Sequence, residues 1–260
     1  MSTASAKVLS GRRVWLTRPV LQVQALQEEL LARGADVLCL PMLAIEPVKP
    51  EGVHKQRLLN LDQYDLVFYV STNAAALGLD AISDYWPQYP AHLRNFAVGS
   101  ATAAVLQQQG LDVDYPRERM SSEAMLALPA LQQITGKKAL IVRGIGGREI
   151  LAEGLLARGA TVDYLELYRR TLPVYELQQL QRDYQQHKPD AVIVSSAEAL
   201  DNLRTLFTPL SLWNKLPLYV ASERLAEHAR TSGNELSVVI NGATDAAIIT
   251  ALCETSGTSA

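Results

Sequence analysis

The chain has 260 residues, 48% hydrophobic and 20% charged, with 24 Lys and Arg against 27 Asp and Glu and a net charge of −3. At roughly 150 residues per domain, this length fits one large domain or two small ones. The mix excludes a disordered chain, a collagen and a charge-rich coiled coil, and the missing basic excess argues against duplex DNA as the main partner.

The opening Met1–Lys7 is small and polar and lacks the apolar stretch of a signal peptide. No apolar run approaches the ~20 residues that cross a bilayer. A cytoplasmic protein without membrane or nucleic-acid contact is expected. Val14 to Thr17 is a short apolar run, hence a buried strand. Gln22 to Arg33 carries Leu26, Leu30 and Leu31 at helical spacing, and Gly34 is its stop. Val37 begins the next strand, and Asp36 to Val48 looks extended for longer than a typical strand. The alternation continues with a strand at Leu66–Val70, a helix at Asn73–Ala81, a strand at Phe96–Val98 and a helix at Ala101–Gln109 ending at Gly110. A strand near Val113, a helix from Ser122 to Leu131 and a strand at Ala139–Val142 follow. Thr161 to Val174 is a second overlong extended segment, and Glu254–Ala260 reads as a frayed tail.

The chain repeats itself. Gly11–Val48 matches Gly136–Pro173 without a gap at an offset of 125, and Leu30–Ala35 and Leu155–Ala160 are the same six residues, LLARGA. Asp65–Thr72 resembles Asp190–Ser196, Ala97–Ser100 resembles Tyr219–Ser222, and Ser121–Ala124 resembles Ala243–Ala246. The form is A-B-A′-B′. Strands alternating with helices mean right-handed βαβ units in parallel sheets, so the fold class is α/β with two flavodoxin-like domains. Spacing alone pairs A with B and A′ with B′. The overlong segments also permit the crossed pairing.

Ligands of open parallel sheets bind beyond the carboxyl ends of the strands. Arg18, Ser71, Thr72, Ser100, Thr102, Arg143, Gly144, Gly147, Arg148, Ser195, Ser196, Ser222 and Thr244 fall there. Most are hydroxyl residues at helix starts. Singly, each is explained by N-capping; together, several helix N-termini suit an anionic ligand. Arg143–Arg148 (RGIGGR) is the most phosphate-like loop, but Glu149 stands where G-x-G-x-x-G requires its last glycine, and no P-loop lysine follows. Two arginines flanking glycines suit a carboxylate. No Ser-His-Asp order and no paired carboxylates stand out, and His54, His92, His187 and His228 show no metal-ligand spacing with Cys39 or Cys253, which read as reduced core residues. Tyr168, in LYRR on the second overlong segment, reads either as a packing aromatic or as a site residue.

VWLTRP (Val14–Pro19), VSTNAA (Val70–Ala75), AVGSATA (Ala97–Ala103), SSEAM (Ser121–Met125), VRGIGGRE (Val142–Glu149), ELYRR (Glu166–Arg170) and SSAEAL (Ser195–Leu200) stand in series. Together they resemble the uroporphyrinogen-III synthase family over nearly the whole chain. The resemblance implies two α/β domains joined by a two-stranded connection, with a cleft between them, and favours the crossed pairing. Residues 1–40 with 175–260 would form one domain, 51–164 the other, and 41–50 with 165–174 the linker. It implies a carbon–oxygen lyase that cyclises hydroxymethylbilane to uroporphyrinogen III. Water leaves the terminal hydroxymethyl group to give an azafulvene, the substituted carbon of the last pyrrole attacks, and a spiro intermediate reopens and recloses with that ring inverted. No metal or organic cofactor is implied. A monomer is expected, with transient contact with the preceding pathway enzyme. Tyr168 matches the tyrosine that assists departure of the hydroxyl, and Ser71, Thr102, Ser122, Ser195 and Thr244 match carboxylate contacts. Two other classes stay open: a two-lobed cytosolic small-anion-binding protein, and an NAD-linked enzyme, which Glu149 weakens.

Overall fold

The computed structural model describes residues 8–117, 120–240 and 242–256. Met1–Lys7 and Gly257–Ala260, read above as a polar start and the end of a frayed tail, lie outside the described residues. In chain order the first elements are β1 (Arg13–Leu16), α1 (Val20–Ala32), β2 (Asp36–Cys39), β3 (Ala44–Pro47), α2 (Gly52–Leu59), β4 (Leu66–Tyr69), α3 (Thr72–Ser83), β5 (Arg94–Ala97) and α4 (Ser100–Gln107). Next come β6 (Val113–Asp114), α5 (Ser122–Leu126), β7 (Lys138–Gly144), α6 (Ile150–Leu156) and β8 (Thr161–Thr171). The chain ends with α7 (Leu177–His187), β9 (Ala191–Val194), α8 (Ala197–Phe207), β10 (Leu218–Val220), α9 (Glu223–Thr231), β11 (Ser237–Val239) and α10 (Asp245–Ser256).

Two compact units result, one from the residues up to Ala44 with those from Thr171 on, the other from Ile45–Arg170. The first unit holds a sheet of order β11-β10-β9-β1-β2, and every pairing in it is parallel. Ranked by position in the chain from the β2 edge, this is 2-1-3-4-5, the flavodoxin-like order. In the second unit β8-β7-β4-β5-β6 is also parallel and has the same spatial arrangement, but its edge pair comes last in the chain, so the ranking is 5-4-1-2-3; β3 adds a sixth strand outside β8. The first sheet combines β1 and β2 with three strands from the second half of the chain, and the second combines β7 and β8 with four from the first half.

The strands are apolar on both faces because helices cover both faces. In β1, Trp15 packs into one core with Phe207 and Leu180, while Val14 and Leu16 pack into another with Leu26 and Leu30. Trp15 is fully buried, and its indole N–H donates to His187 Nδ1 at 2.9 Å. In β4, Leu66 and Phe68 face one side and Val67 and Tyr69 the other, with the Phe68 and Phe96 rings stacked at 4.9 Å. This is the period-2 alternation of a strand written in hydrophobic residues only.

Three expectations need correction. The extended segment Asp36–Val48 is two strands, β2 and β3, in different sheets; Pro41, which has no N–H to offer a ladder, lies between them. The helix expected over Ser122–Leu131 stops at Leu126 and gives way to a 3-10 turn at Pro129–Leu131, because Leu128 before the proline is extended at φ −58°, ψ 136°. Glu254–Ser256 belong to α10, whose Thr255 hydroxyl accepts from Arg12 at 2.9 Å. Thr161–Val174 does run almost unbroken, as the 11-residue β8.

The duplication is visible at helix ends. Gly34 and Gly159 both adopt left-handed backbone, at φ +90° and +80°. The following amides close matching bonds, Ala35 N–H to Leu30 O at 3.0 Å and Ala160 N–H to Leu155 O at 3.2 Å. At the other end the copies differ. Helix α1 begins at Val20, two residues past Arg18, whereas α6 begins at Ile150, seven past Arg143. In both copies the first leucine of LLARGA is fully buried, while Leu31 and Leu156 are 49% and 55% exposed. Leu30→Ala and Leu155→Ala are therefore each expected to destabilise their unit by about 2–5 kcal/mol in chemical denaturation, and Leu31→Ala and Leu156→Ala by no more than about 0.5 kcal/mol.

Candidate active site

A flavodoxin-like sheet reverses its strand order once, and ligands bind beyond the carboxyl ends there. In the second unit that point lies between β7 and β4. The chain leaves β7 at Arg143-Gly144 and leaves β4 toward Ser71. A cavity of about 320 Å³ opens there, and Ser71, Ser122, Arg143, Gly144, Arg148 and Tyr168 all line it. A larger hollow of about 610 Å³ lies around Tyr89–Asn95 and Asp112–Asp114, but at the amino ends of β5 and β6, the wrong end of the sheet for ligand chemistry in this fold.

A bulge delivers Tyr168 to the cavity. Along β7 and β8 the pairs run regularly to Arg143–Glu166, then jump to Gly144–Tyr168, leaving Leu167 as the extra residue. Regular alternation would put Tyr168 on the face of Tyr164 and Glu166; it packs instead with Leu165 and Leu167. Tyr168 is 6% exposed, and its hydroxyl lies 2.9 Å from Ser71 Oγ. Ser71 caps α3, its Oγ accepting from the Ala74 N–H at 3.0 Å. The Tyr168 ring lies over Gly144, where a Cβ would sit 2.5 Å from Cε2. That residue must therefore be glycine.

Arg143 is charged yet only 5% exposed. Its Nη1 meets Glu149 Oε1 at 3.0 Å, its Nε donates to Gly144 O at 3.2 Å, and its Nη2 donates to Gly146 O. The guanidinium also lies 4.8 Å from the centre of the Tyr164 ring. The Tyr164 hydroxyl donates to the other oxygen of Glu149. Together Tyr164 and Arg143 hold the Glu149 carboxyl below its ordinary range, while burial and then the Glu149 carboxylate push the Tyr164 phenol up to about 12. The glycines of this loop make room for protein side chains: a Cβ on Gly147, at φ +106°, would lie 2.9 Å from Arg143 Nη2.

Other expected residues of this unit are distributed differently. Ser122 lines the cavity, but the cap of α5 is Ser121, accepting from Ala124 N–H at 3.2 Å. Arg148 is exposed and helps hold the Glu123 carboxyl low, after that residue's own backbone N–H and the Ser121 hydroxyl. Thr72 and Ser100 are the first residues of α3 and α4 and do not line the cavity. Thr102 is 3% exposed on the buried side of α4, with Ala103 and Leu106.

In the first unit the reversal lies between β1 and β9. Arg18 Nε donates to Ser195 Oγ at 3.3 Å, its Nη1 meets Asp245 Oδ1 at 2.9 Å, and its Nη2 donates to Ala243 O. Thr244, between those two partners in sequence, accepts from Ala247 N–H at 3.3 Å. Ser196 and Ser222 cap α8 and α9, accepting from Ala199 and Leu225 N–H at 3.2 and 3.4 Å. Both arginines of the duplication thus bind a carboxylate and a backbone carbonyl of their own unit.

The sequence reading missed Tyr164 and Glu149 as site residues, along with Arg170, which also lines the cavity. A usable signal existed for Tyr164, four residues before Tyr168 on one extended segment. Among the described residues, no group of three or more His, Cys, Asp or Glu could hold a metal ion, and no helix is long and apolar enough to cross a membrane. Cys39 and Cys253 are free and half-buried against one core.

Residues 24–250 match the family model described as uroporphyrinogen-III synthase HemD. The uroporphyrinogen-III synthase of Salmonella typhimurium is 36% identical over 246 residues, covering 92% of this chain and 99% of that protein. That of Escherichia coli is 33% identical over 249 residues, with the same two coverages, 92% and 99%. Two crystal structures share the fold. A mutant uroporphyrinogen III synthase from Thermus thermophilus gives a TM-score of 0.59 at 18% identity, covering 94% of this chain and 100% of that one. The uroporphyrinogen-III synthetase of Helicobacter pylori gives 0.58 at 15%, covering 93% and 98%. The match across nearly the whole chain, and two relatives above the level at which fold and family diverge, place this protein in the uroporphyrinogen-III synthase family.

Proposed function

We propose that the chain closes hydroxymethylbilane into uroporphyrinogen III, losing water and inverting the last pyrrole, as a cyclising carbon–oxygen lyase working in the cytoplasm. The observation that carries this reading, in a chain of this family, is the Tyr168–Ser71 hydroxyl pair at the carboxyl end of the second sheet's reversal point. The first chemical need is to remove hydroxide from a hydroxymethyl group. A phenol can give a proton to that leaving oxygen directly or through one water. Ser71 orients the phenol, and Gly144 leaves space for its ring.

The second need is geometric. The uncatalysed closure joins the same chain ends without inversion, so the protein must hold one fold of the bilane while the spiro intermediate forms and reopens. Positioning and fixed dipoles can supply this without strong acids or bases. The substrate carries acetate and propionate arms. The helix starts at Ser71-Thr72, Ser100, Ser122, Ser196, Ser222 and Thr244-Asp245 offer backbone N–H groups suited to such carboxylates, and Arg148 adds an exposed positive charge at the cavity. Ser195 Oγ already accepts from Arg18 and would bind a carboxylate by donating its hydroxyl proton.

Two experiments test the reading. Enzymically made hydroxymethylbilane is supplied, the products are oxidised and the porphyrin isomers resolved; type III product is expected, and type I alone refutes the function. Tyr168→Phe is expected to lower kcat by about tenfold or more with an unchanged circular dichroism spectrum, and Gly144→Ala, which displaces the ring, to do the same. Unaltered turnover in Tyr168→Phe would remove the phenol from the mechanism.

A further inference from the structure

We propose that Glu149 and Tyr164 act through Arg143 as a clamp that holds residues 144–147 against Tyr168, making all three positioning residues. The proposal rests on the ring-closing function above. A guanidinium intended for a substrate carboxylate would present its fork to the cavity. The Arg143 fork is taken up by Glu149, Gly144 O and Gly146 O, with its central carbon over the Tyr164 ring. Its near-complete burial makes the Glu149 carboxylate a necessary partner, because an unpaired buried charge is strongly unfavourable. Tyr164 completes the arrangement by holding the second oxygen of that carboxylate.

The clamp reaches the phenol by two routes. Gly147 wraps the guanidinium at one end of the segment, and Gly144 lies under the Tyr168 ring at the other. Between them, the Ile145 N–H donates to the Tyr168 carbonyl at 2.7 Å. A loosened segment would free both the ring and the backbone of Tyr168, and with them the direction of its hydroxyl. Glu149 and Tyr164 need not touch the substrate for this to matter. A misdirected phenol leaves more of the bilane to the uncatalysed closure without inversion, so the isomer ratio should report the clamp.

Glu149→Gln, Tyr164→Phe and their combination would be assayed with hydroxymethylbilane, with isomers resolved, and amide exchange of residues 144–148 followed in the free protein. Each single variant is expected to lower kcat by about tenfold or more with KM within about threefold, to raise the type I share, and to speed exchange of the segment by about tenfold. The combination should fall no more than about threefold below the worse single variant, because both act on one clamp. Arg143→Lys should not preserve activity, since an ammonium lacks the planar fork. Raised KM at unchanged kcat would make these groups substrate contacts and overturn the proposal, and so would unchanged exchange. A wild-type protein that yields only type I product defeats the ring-closing function, and exchange then still decides the clamp.

Discussion

No side chain fits on the Cα of residue 144, and the geometry of the site follows from that. The bulge at Leu167 sets Tyr168 opposite Gly144 in the β7–β8 pairing. The phenol ring then occupies the volume that a Cβ would need. Because the ring turns toward the reversal point of the sheet, its hydroxyl meets Ser71 at the end of β4, two strands away from its own. Because residue 144 is glycine and two more glycines follow with positive φ, the chain does not enter a helix there. Helix α6 waits until Ile150, and the intervening segment becomes the floor of the cavity.

Capping and anion binding are compatible at these helix starts. A serine that caps accepts an N–H at its oxygen and still has its own proton to donate. Ser196 and Ser222 are in this state, while the Ser71 hydroxyl is also engaged with the Tyr168 phenol; neighbouring first-turn amides are unclaimed by the helix itself. Neutral donors of this kind can hold a polyanionic ligand without a concentration of positive charge, in keeping with a net charge of −3. The arginines at the reversal points shape the loops that carry the donors. That division is sensible for a reaction in which the direction of attack matters more than the strength of any acid.

Much of the fold was legible because its strands are buried on both faces and therefore read as apolar runs, as at Val14–Leu16 and Leu66–Tyr69. Helix α2, which buries only Leu58, offered little periodic signal, whereas α7 carries Leu177, Leu180 and Tyr184 at helical spacing. Pro129 was visible and should have ended its helix. In the site, Arg143, Gly144, Ser71 and Tyr168 could be placed from strand ends and family resemblance. The bulge could not, since Leu167 and Tyr168 are both plausible core residues and alternation does not announce its own failure. Glu149 was noticed only for spoiling a glycine pattern, and its partner Tyr164 is brought near by strand pairing, a contact without a sequence signature.

The duplication supplies an internal comparison. At an offset of 125, Arg143 corresponds to Arg18, and the LLARGA helix end is identical in both copies. Several positions around the cavity are not shared. Gly144 corresponds to Pro19, Gly147 to Gln22, Glu149 to Gln24, Tyr164 to Cys39 and Tyr168 to Leu43. In the first copy the proline preserves an early helix start, and the arginine finds its carboxylate at Asp245 on a distant segment. In the second, glycines delay the helix, and the arginine finds Glu149 six residues on. The frame and the buried leucines are common property of the βαβ unit, needed for it to pack at all. Among the many differences are the residues that set Tyr168 at the reversal point, so the cavity belongs to the substitutions and not to the shared fold.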